Sequence, residues 1–237
     1  MIKRELYMNR IRPFIGGELI KVMTGIRRSG KSVMLELIKE ELAEAGVAPS
    51  QMISINFEDM RYSHLQTATA LHDEIIKRAE GIEGKAYLFF DEIQEVEGWE
   101  KCVNSLRVAL DCDIYITGSN AKLLSGELAT YIGGRYVEFV IYPFSFAEFL
   151  ELYHTIAPSD SIQQCFQKYL LAGGMPYLAN LRYEEEPSRQ YLTDLFNSVQ
   201  LKDIVKRNKI RDIDLLERII AYMTANVGTV FLSVLSG

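Results

Sequence analysis

Short apolar runs recur along the first 143 residues, and apolar positions at helical spacing take over after that. The run "LIKVMTG" (19–25) is rich in branched residues and reads as a buried strand. After a glycine-bearing loop, "KSVMLELIKEELAEAG" sets Met34, Ile38 and Leu42 on one face with Leu35 alongside, and Gly46 is a natural stop, which predicts a helix. "QMISINFED" (51–59) predicts a second strand, and 65–78 a helix. "KAYLFFDEI" (85–93) is an apolar run ended by two carboxylates, the pattern of a central strand covered on both faces. A turn at Gly98 and Trp99 leads into a helix carrying Val103, Leu106 and Leu110; "CDIYITGSN" (112–120) and "RYVEFVIYP" (135–143) read as the fourth and fifth strands. Strands alternating with helices at this rhythm predict an α/β fold with a parallel sheet and right-handed crossovers.

Beyond Pro143 the pattern is helical in "FSFAEFLELYH", "SIQQCFQKYLLAG", "SRQYLTDLFNSVQLKDIVKRN" and "DIDLLERIIAYMTANVG". The expected organisation is therefore a sheet domain over 1–144 and a smaller all-α domain over 145–237, with "RYEEEPS" (182–188) as an exposed charged connection inside the latter. A length of 237 residues suits one large domain with a smaller appendage.

Composition narrows the function classes. With 48% apolar and 24% charged residues the chain is expected to fold as an ordinary globular protein. Cys102, Cys112 and Cys165 are too few and too scattered for a disulfide framework or a zinc site, and His64, His72 and His154 are solitary. No opening leader pattern and no spanning apolar stretch of about 20 residues is present, so the expectation is a cytoplasmic protein without a membrane role. A net charge of -6 and a pI near 5.3 exclude a whole-surface nucleic-acid binder, since counterion release needs clustered cations. The run "LKDIVKRNKIRD" (201–212) gathers Lys202, Lys206, Arg207, Lys209 and Arg211, which a solvated basic helix face explains better than nucleic-acid contact.

Chemistry concentrates in three places. "GIRRSGKS" (25–32) has Gly25, four residues, then Gly30, Lys31 and Ser32, between a strand and a helix. That context makes it a phosphate-binding loop. Its amide groups and the helix N-terminus face phosphate oxygens, Lys31 reaches the β- and γ-phosphates, and the Ser32 hydroxyl sits on Mg²⁺. The candidate nucleotide contacts are Gly25, Arg27, Arg28, Ser29, Gly30, Lys31, Ser32 and Val33. Arg27 and Arg28 could lean on the nucleotide, touch nucleic acid, or pair with Glu58 or Asp59, and pairing is the commonest fate of such arginines. In "LFFDE", Asp91 is placed to hold magnesium and Glu92 to orient a water on the γ-phosphate, with the end of this third strand expected side by side with that of the first. In "ITGSN", Ser119 and Asn120 are candidates to sense the γ-phosphate. Arg135, after Gly133 and Gly134, suits an arginine finger acting on its own site or a neighbour's, with a surface salt bridge as the plain alternative.

With these motifs in place, the chain resembles a family of bacterial and archaeal AAA-type P-loop ATPases. In that family the ATPase core is fused to a helical domain of unknown function, and often to a winged helix and a nuclease-like domain. "KVMTGIRRSGKS", "INFED", "FFDEIQEVEGW", "YITGSNAKLLSGELA", "GGRYVEFVIYPFSFAEFL" and "YLLAGGMP" carry the likeness, over about 3–227. It implies a P-loop NTPase sheet in the order 5-1-4-3-2 followed by a helical lid, and an arginine-finger position for Arg135 through which copies of the chain would associate. It also implies a lid contact to nucleotide by Gly174 and Pro176 in "GGMP". Family members usually run longer, so the sequence is expected to be C-terminally truncated. The reading is Mg²⁺-dependent ATP hydrolysis; a nucleotide-gated switch of little turnover, or the ATPase module of a DNA-associated protein, are the alternatives. No guanine-reading motif is visible, which favours ATP over GTP.

Overall fold

Five parallel strands form one sheet in the order β2-β3-β4-β1-β5: β1 Ile20–Thr24, β2 Met52–Asn56, β3 Ala86–Asp91, β4 Cys112–Thr117 and β5 Tyr136–Val140. This is the expected 5-1-4-3-2 order read from the other edge. The computed structural model describes residues 2–118, 132–199, 205 and 210–227. Every residue of β1 and β4 is buried, whereas the edge strand β2 alternates between the core and solvent. Parallel neighbours cannot be joined by a tight turn, and the connections run through helices on both faces. On one face, α1 (Glu5–Ile11) and α2 (Lys31–Glu44) bury Tyr7, Met8, Ile11, Met34 and Ile38 against Met23, Phe89, Tyr115 and Phe139. On the other, α3 (Ala68–Ala79) and α4 (Trp99–Ala109) bury Leu71, Ile75, Val103 and Leu106 against Ile20, Val22, Leu88 and Ile114. The period-2 alternation of β1 thus feeds two separate apolar layers.

Helices α5 (Phe146–Tyr153) and α6 (Ile162–Ala172) follow β5, and each opens with a reciprocal cap, Ser145 with Glu148 and Ser161 with Gln164. Helix α7 spans Glu185–Val199 and α8 spans Ile213–Ala225. The segment 182–188 is exposed at Arg182 and from Glu184 to Pro187, as expected, but it is not a plain connection: α7 begins inside it, and Tyr183 and Ser188 are buried. By contacts the chain divides into two compact units, Met1–Ser188 and Arg189–Gly237, so α5 and α6 belong to the same unit as the sheet. In the second unit, α8 carries an exposed apolar set, Leu215, Ile219, Tyr222 and Met223. No helix among the described residues is long and apolar enough to cross a membrane.

The topology also locates a site. The chain leaves β1 for the far edge at β2, walks back through β3 and β4 to one flank of β1, and then adds β5 on the other flank. Loops on either side of such a reversal diverge and leave a crevice at the carboxyl ends of the strands. The loop after β1 occupies it.

Candidate functional site

The loop between β1 and α2 is shaped by contacts that exclude larger residues. At Gly25, φ is 143° and an added Cβ would stand 2.2 Å from the Ile141 carbonyl oxygen. Gly30 caps α2 at φ 102°. Both lie in the region that L side chains avoid. Lys31, the first residue of α2, is only 5% exposed, and its Nζ donates to the carbonyls of Gly25 and Ile26 at 3.2 and 3.3 Å. The same Nζ lies 3.8 Å from Glu92 Oε1. A cleft of about 360 Å³ opens here, walled by Arg27, Arg28, Gly30, Lys31, Ser32 and Val33 from the loop and helix, Glu58 and Glu92 from strand ends, and Pro176, Tyr177 and Asn180 from beyond α6.

Of the acidic pair only Glu92 walls this cleft, and it arrives by a route different from the expected one. Strand β4 separates β1 from β3, so the ends of the first and third strands are not side by side. Thr117, at the end of β4, fills the gap: its hydroxyl donates to Asp91 Oδ1 and accepts from the Glu92 amide at 3.0 Å. Asn56 Nδ2 donates to Asp91 Oδ2 at 3.2 Å. Asp91 is thereby fixed, while a backbone turn at Glu92 (φ 54°) sends the next side chain to Lys31. The Glu92 carboxylate also accepts from Gln94 Nε2.

The remaining candidates divide. Ser29 is wholly buried beneath the loop, outside the cleft lining, with its hydroxyl lacking a hydrogen-bond partner among the described residues. Gly174 also stays out of the lining: its carbonyl accepts from the Phe144 amide at 2.7 Å, and a Cβ there would stand 2.1 Å from Phe144 O. Its neighbour Pro176 does line the cleft. Asp59 pairs with Arg61 rather than with Arg27 or Arg28, while Glu58 shares the cleft with both arginines. Arg135 is exposed, donates to Asn104 Oδ1 at 2.8 Å, and accepts through its carbonyl from the Ile20 amide at 3.0 Å, which puts it at the opposite end of β1 from the loop. Five residues of strand at about 3.3 Å each separate the two ends by roughly 16 Å. In this structure Arg135 therefore does not wall its own cleft. Ser119, Asn120, Lys202, Lys206, Arg207 and Lys209 lie outside the described residues. Sequence reasoning missed Tyr177, Asn180, Asn56 and Gln94; only their neighbours in "INFED", "FFDEIQ" and "GGMP" marked them.

The donor chemistry fits a nucleoside triphosphate with magnesium. Loop amides, a helix N-terminus, a lysine and two arginines face one cleft together with Ser32, an oxygen ligand of the kind a hard cation takes. Asp91, a second such ligand, is 6% exposed, stands outside the cleft walls and has its two carboxylate oxygens held by Thr117 and Asn56. Among the described residues no group of three or more His, Cys, Asp or Glu is arranged to hold a metal. A magnesium ion bound chiefly through phosphates and one or two protein oxygens needs no such group.

Comparison with known proteins agrees on the class. The chain belongs to the AAA domain family, whose model matches residues 18–150, and its architecture is that of an AAA-type P-loop ATPase with a C-terminal helical region. A domain of unknown function matches residues 163–233. An uncharacterized protein of Haemophilus influenzae is 40% identical over 229 residues, covering 96% of this chain and 56% of its own length. One of Methanocaldococcus jannaschii is 33% identical over 219 residues, with 87% and 47% covered. The chain thus spans about half the length of the curated relatives it matches. Among solved structures, AMPPCP-bound DnaA from Aquifex aeolicus shares the fold at a TM-score of 0.50 and 13% identity, over 96% of this chain and 71% of that one.

Proposed function

We propose that the chain binds ATP with Mg²⁺ at the Lys31–Glu92 cleft, hydrolyses it, and couples nucleotide state to movement of its helical part. The observation that carries this reading is the 3.8 Å approach of Lys31 Nζ to Glu92 Oε1 on the wall of a cleft floored by the α2 N-terminus. Lys31 exchanges the Gly25 and Ile26 carbonyls for phosphate oxygens, a trade of neutral acceptors for charged ones that hydrogen bonding favours. Arg27 and Arg28 add positive charge on the same wall. Ser32 and Asp91 would hold the magnesium, which when bound supplies charge neutralisation between the β- and γ-phosphates. Glu92, released by Lys31 and Gln94, orients a water and takes its proton. Pro176, Tyr177 and Asn180 lie beyond Ser145 and touch the same cleft, so departure of a phosphate changes what the helical segment rests on. Arg135, which does not wall its own cleft, is assigned to the cleft of a second copy.

The alternative is a switch that holds ATP and turns over rarely. It is favoured by one detail: the Glu92 carboxylate is engaged by both Gln94 and Lys31 and is not poised for a water. Phosphate release with Mg·ATP separates the two. Glu92→Gln is expected to lower turnover by about 10²- to 10⁴-fold while keeping Mg·ATP bound. Unchanged turnover would refute the assignment of Glu92, and tight retention with no turnover in the wild type would establish the switch.

A further inference from the structure

Arg4 is 2% exposed, and proteins rarely bury a guanidinium without answering its donors. Three separate segments answer them. Its Nε donates to Glu148 Oε1 at 2.8 Å, and Nη2 to Glu148 Oε2 at 3.4 Å and to the Tyr142 carbonyl at 2.8 Å. Nη1 donates to the Ser29 carbonyl at 3.0 Å. The Tyr7 and Phe144 rings flank the group, 4.6 and 5.1 Å from its Cζ. Arg4 itself adopts a left-handed backbone at φ 47° and ψ 47°, a conformation that a non-glycine residue holds only when its surroundings over-determine it.

The Ser29 contact matters most, because that carbonyl shares a peptide plane with the Gly30 N–H. A trans peptide is planar, and its C=O and N–H point in opposite directions. Anchoring the Ser29 oxygen on the guanidinium therefore aims the Gly30 N–H away from Arg4. Gly30 lines the cleft, and a Cβ there would stand 3.3 Å from Arg4 Nη1. The Ser29 side chain supplies no rival anchor, since its hydroxyl is buried without a hydrogen-bond partner among the described residues. Lysine could not do the same work: its point charge lacks the planar fork that reaches a carboxylate and two carbonyls at once.

We infer that Arg4 is the positioning residue of the phosphate loop, fixing the 29–30 peptide so that the Gly30 amide is presented to the triphosphate. Through Glu148, whose carboxylate also accepts from the Ser145 amide at 2.8 Å, the same guanidinium ties that orientation to the start of α5. The inference rests on the nucleotide reading above and adds a residue outside every recognised motif.

Glycine amide resonances of ¹⁵N-glycine protein, read with Mg·ATP calorimetry, test it. In Arg4→Lys the Gly30 amide is expected to be displaced before any ligand is added, with the remote Gly46 and Gly81 amides unmoved, and the Mg·ATP affinity to fall about tenfold. Arg4→Gln decides the matter in the same way if Arg4→Lys does not fold. A folded variant in which either readout stays at its wild-type value, the Gly30 amide unmoved or the affinity within twofold, would overturn the inference. So would failure of both variants to fold, which would mark Arg4 as scaffold alone. A wild type that does not bind Mg·ATP is a separate outcome: it refutes the nucleotide reading, and the Gly30 amide of the ligand-free protein still reports whether Arg4 holds the loop.

Discussion

Two clusters stand at opposite ends of β1, and each sets a lysine against a carboxylate. Near its start, Lys21 and Asp113 are both fully buried and paired. Asp113 also accepts from Tyr115 OH and from the Gly16 amide, each at 2.7 Å, while Lys21 donates to the Gly17 carbonyl at 3.3 Å. Burial pushes the Lys21 pKa down against the pull of Asp113, and pushes the Tyr115 phenol up. At the other end, Lys31 and Glu92 approach to only 3.8 Å, Glu92 keeps 18% of its side chain exposed, and both wall a cleft. The difference lies in closure. In the first cluster protein groups answer the charges, and a turn is fastened to the sheet. In the second the lysine and the carboxylate stand farther apart, each has a second protein partner, and both open on a cleft wide enough for a ligand.

The comparison breaks most sharply at Asp113. Asp113→Ala strands Lys21 in the core, and removing one partner of a buried pair costs about 3–5 kcal/mol. Chemical denaturation should show that loss, while the folded fraction keeps its Mg·ATP affinity within twofold. A loss near zero would mean that the first cluster is not a stability device.

A smaller effect is expected from acid. Burial pushes the Glu148 carboxyl up, but hydrogen bonds from Arg4 and the Ser145 amide outweigh it and hold the pKa below the ordinary 4.5. A carboxyl held lower in the folded state than in the unfolded one contributes stability above that ordinary value, and the contribution is lost as pH falls below it. The denaturation midpoint of the wild type should therefore drop more steeply below pH 4.5 than that of Glu148→Gln. Parallel curves would remove the Arg4–Glu148 pair from the account of loop anchoring.

Much of this was legible in the chain because it is written locally. The runs behind β1, β3 and β4, the stripe of Met34, Ile38 and Leu42 in α2, and the spacing of Gly25, Gly30, Lys31 and Ser32 all fall within single elements. What escaped is written across distance. Lys21 and Asp113, Arg4 and Glu148, and Asn56 and Asp91 meet only after the sheet assembles. Helix α1, at seven residues, is too short for a periodicity to declare itself. Gly174 was marked through "GGMP", but as a nucleotide contact; that it can carry no side chain because of the Phe144 backbone follows from neither periodicity nor motif. Arg135 was readable in principle: β5 runs parallel to β1, so a residue preceding β5 must lie at the end away from the loop.

The central claim is that the open cluster, and not the sealed one, holds a triphosphate. Calorimetric titration of Mg·ATP into wild type and Lys31→Ala tests it directly. The account predicts saturable binding to the wild type and a loss of about 1.5–3 kcal/mol, roughly 10- to 150-fold in affinity, in Lys31→Ala, with the unfolding midpoint little changed. Equal affinity in the two proteins, or no saturable heat from a well-folded wild type, would contradict it.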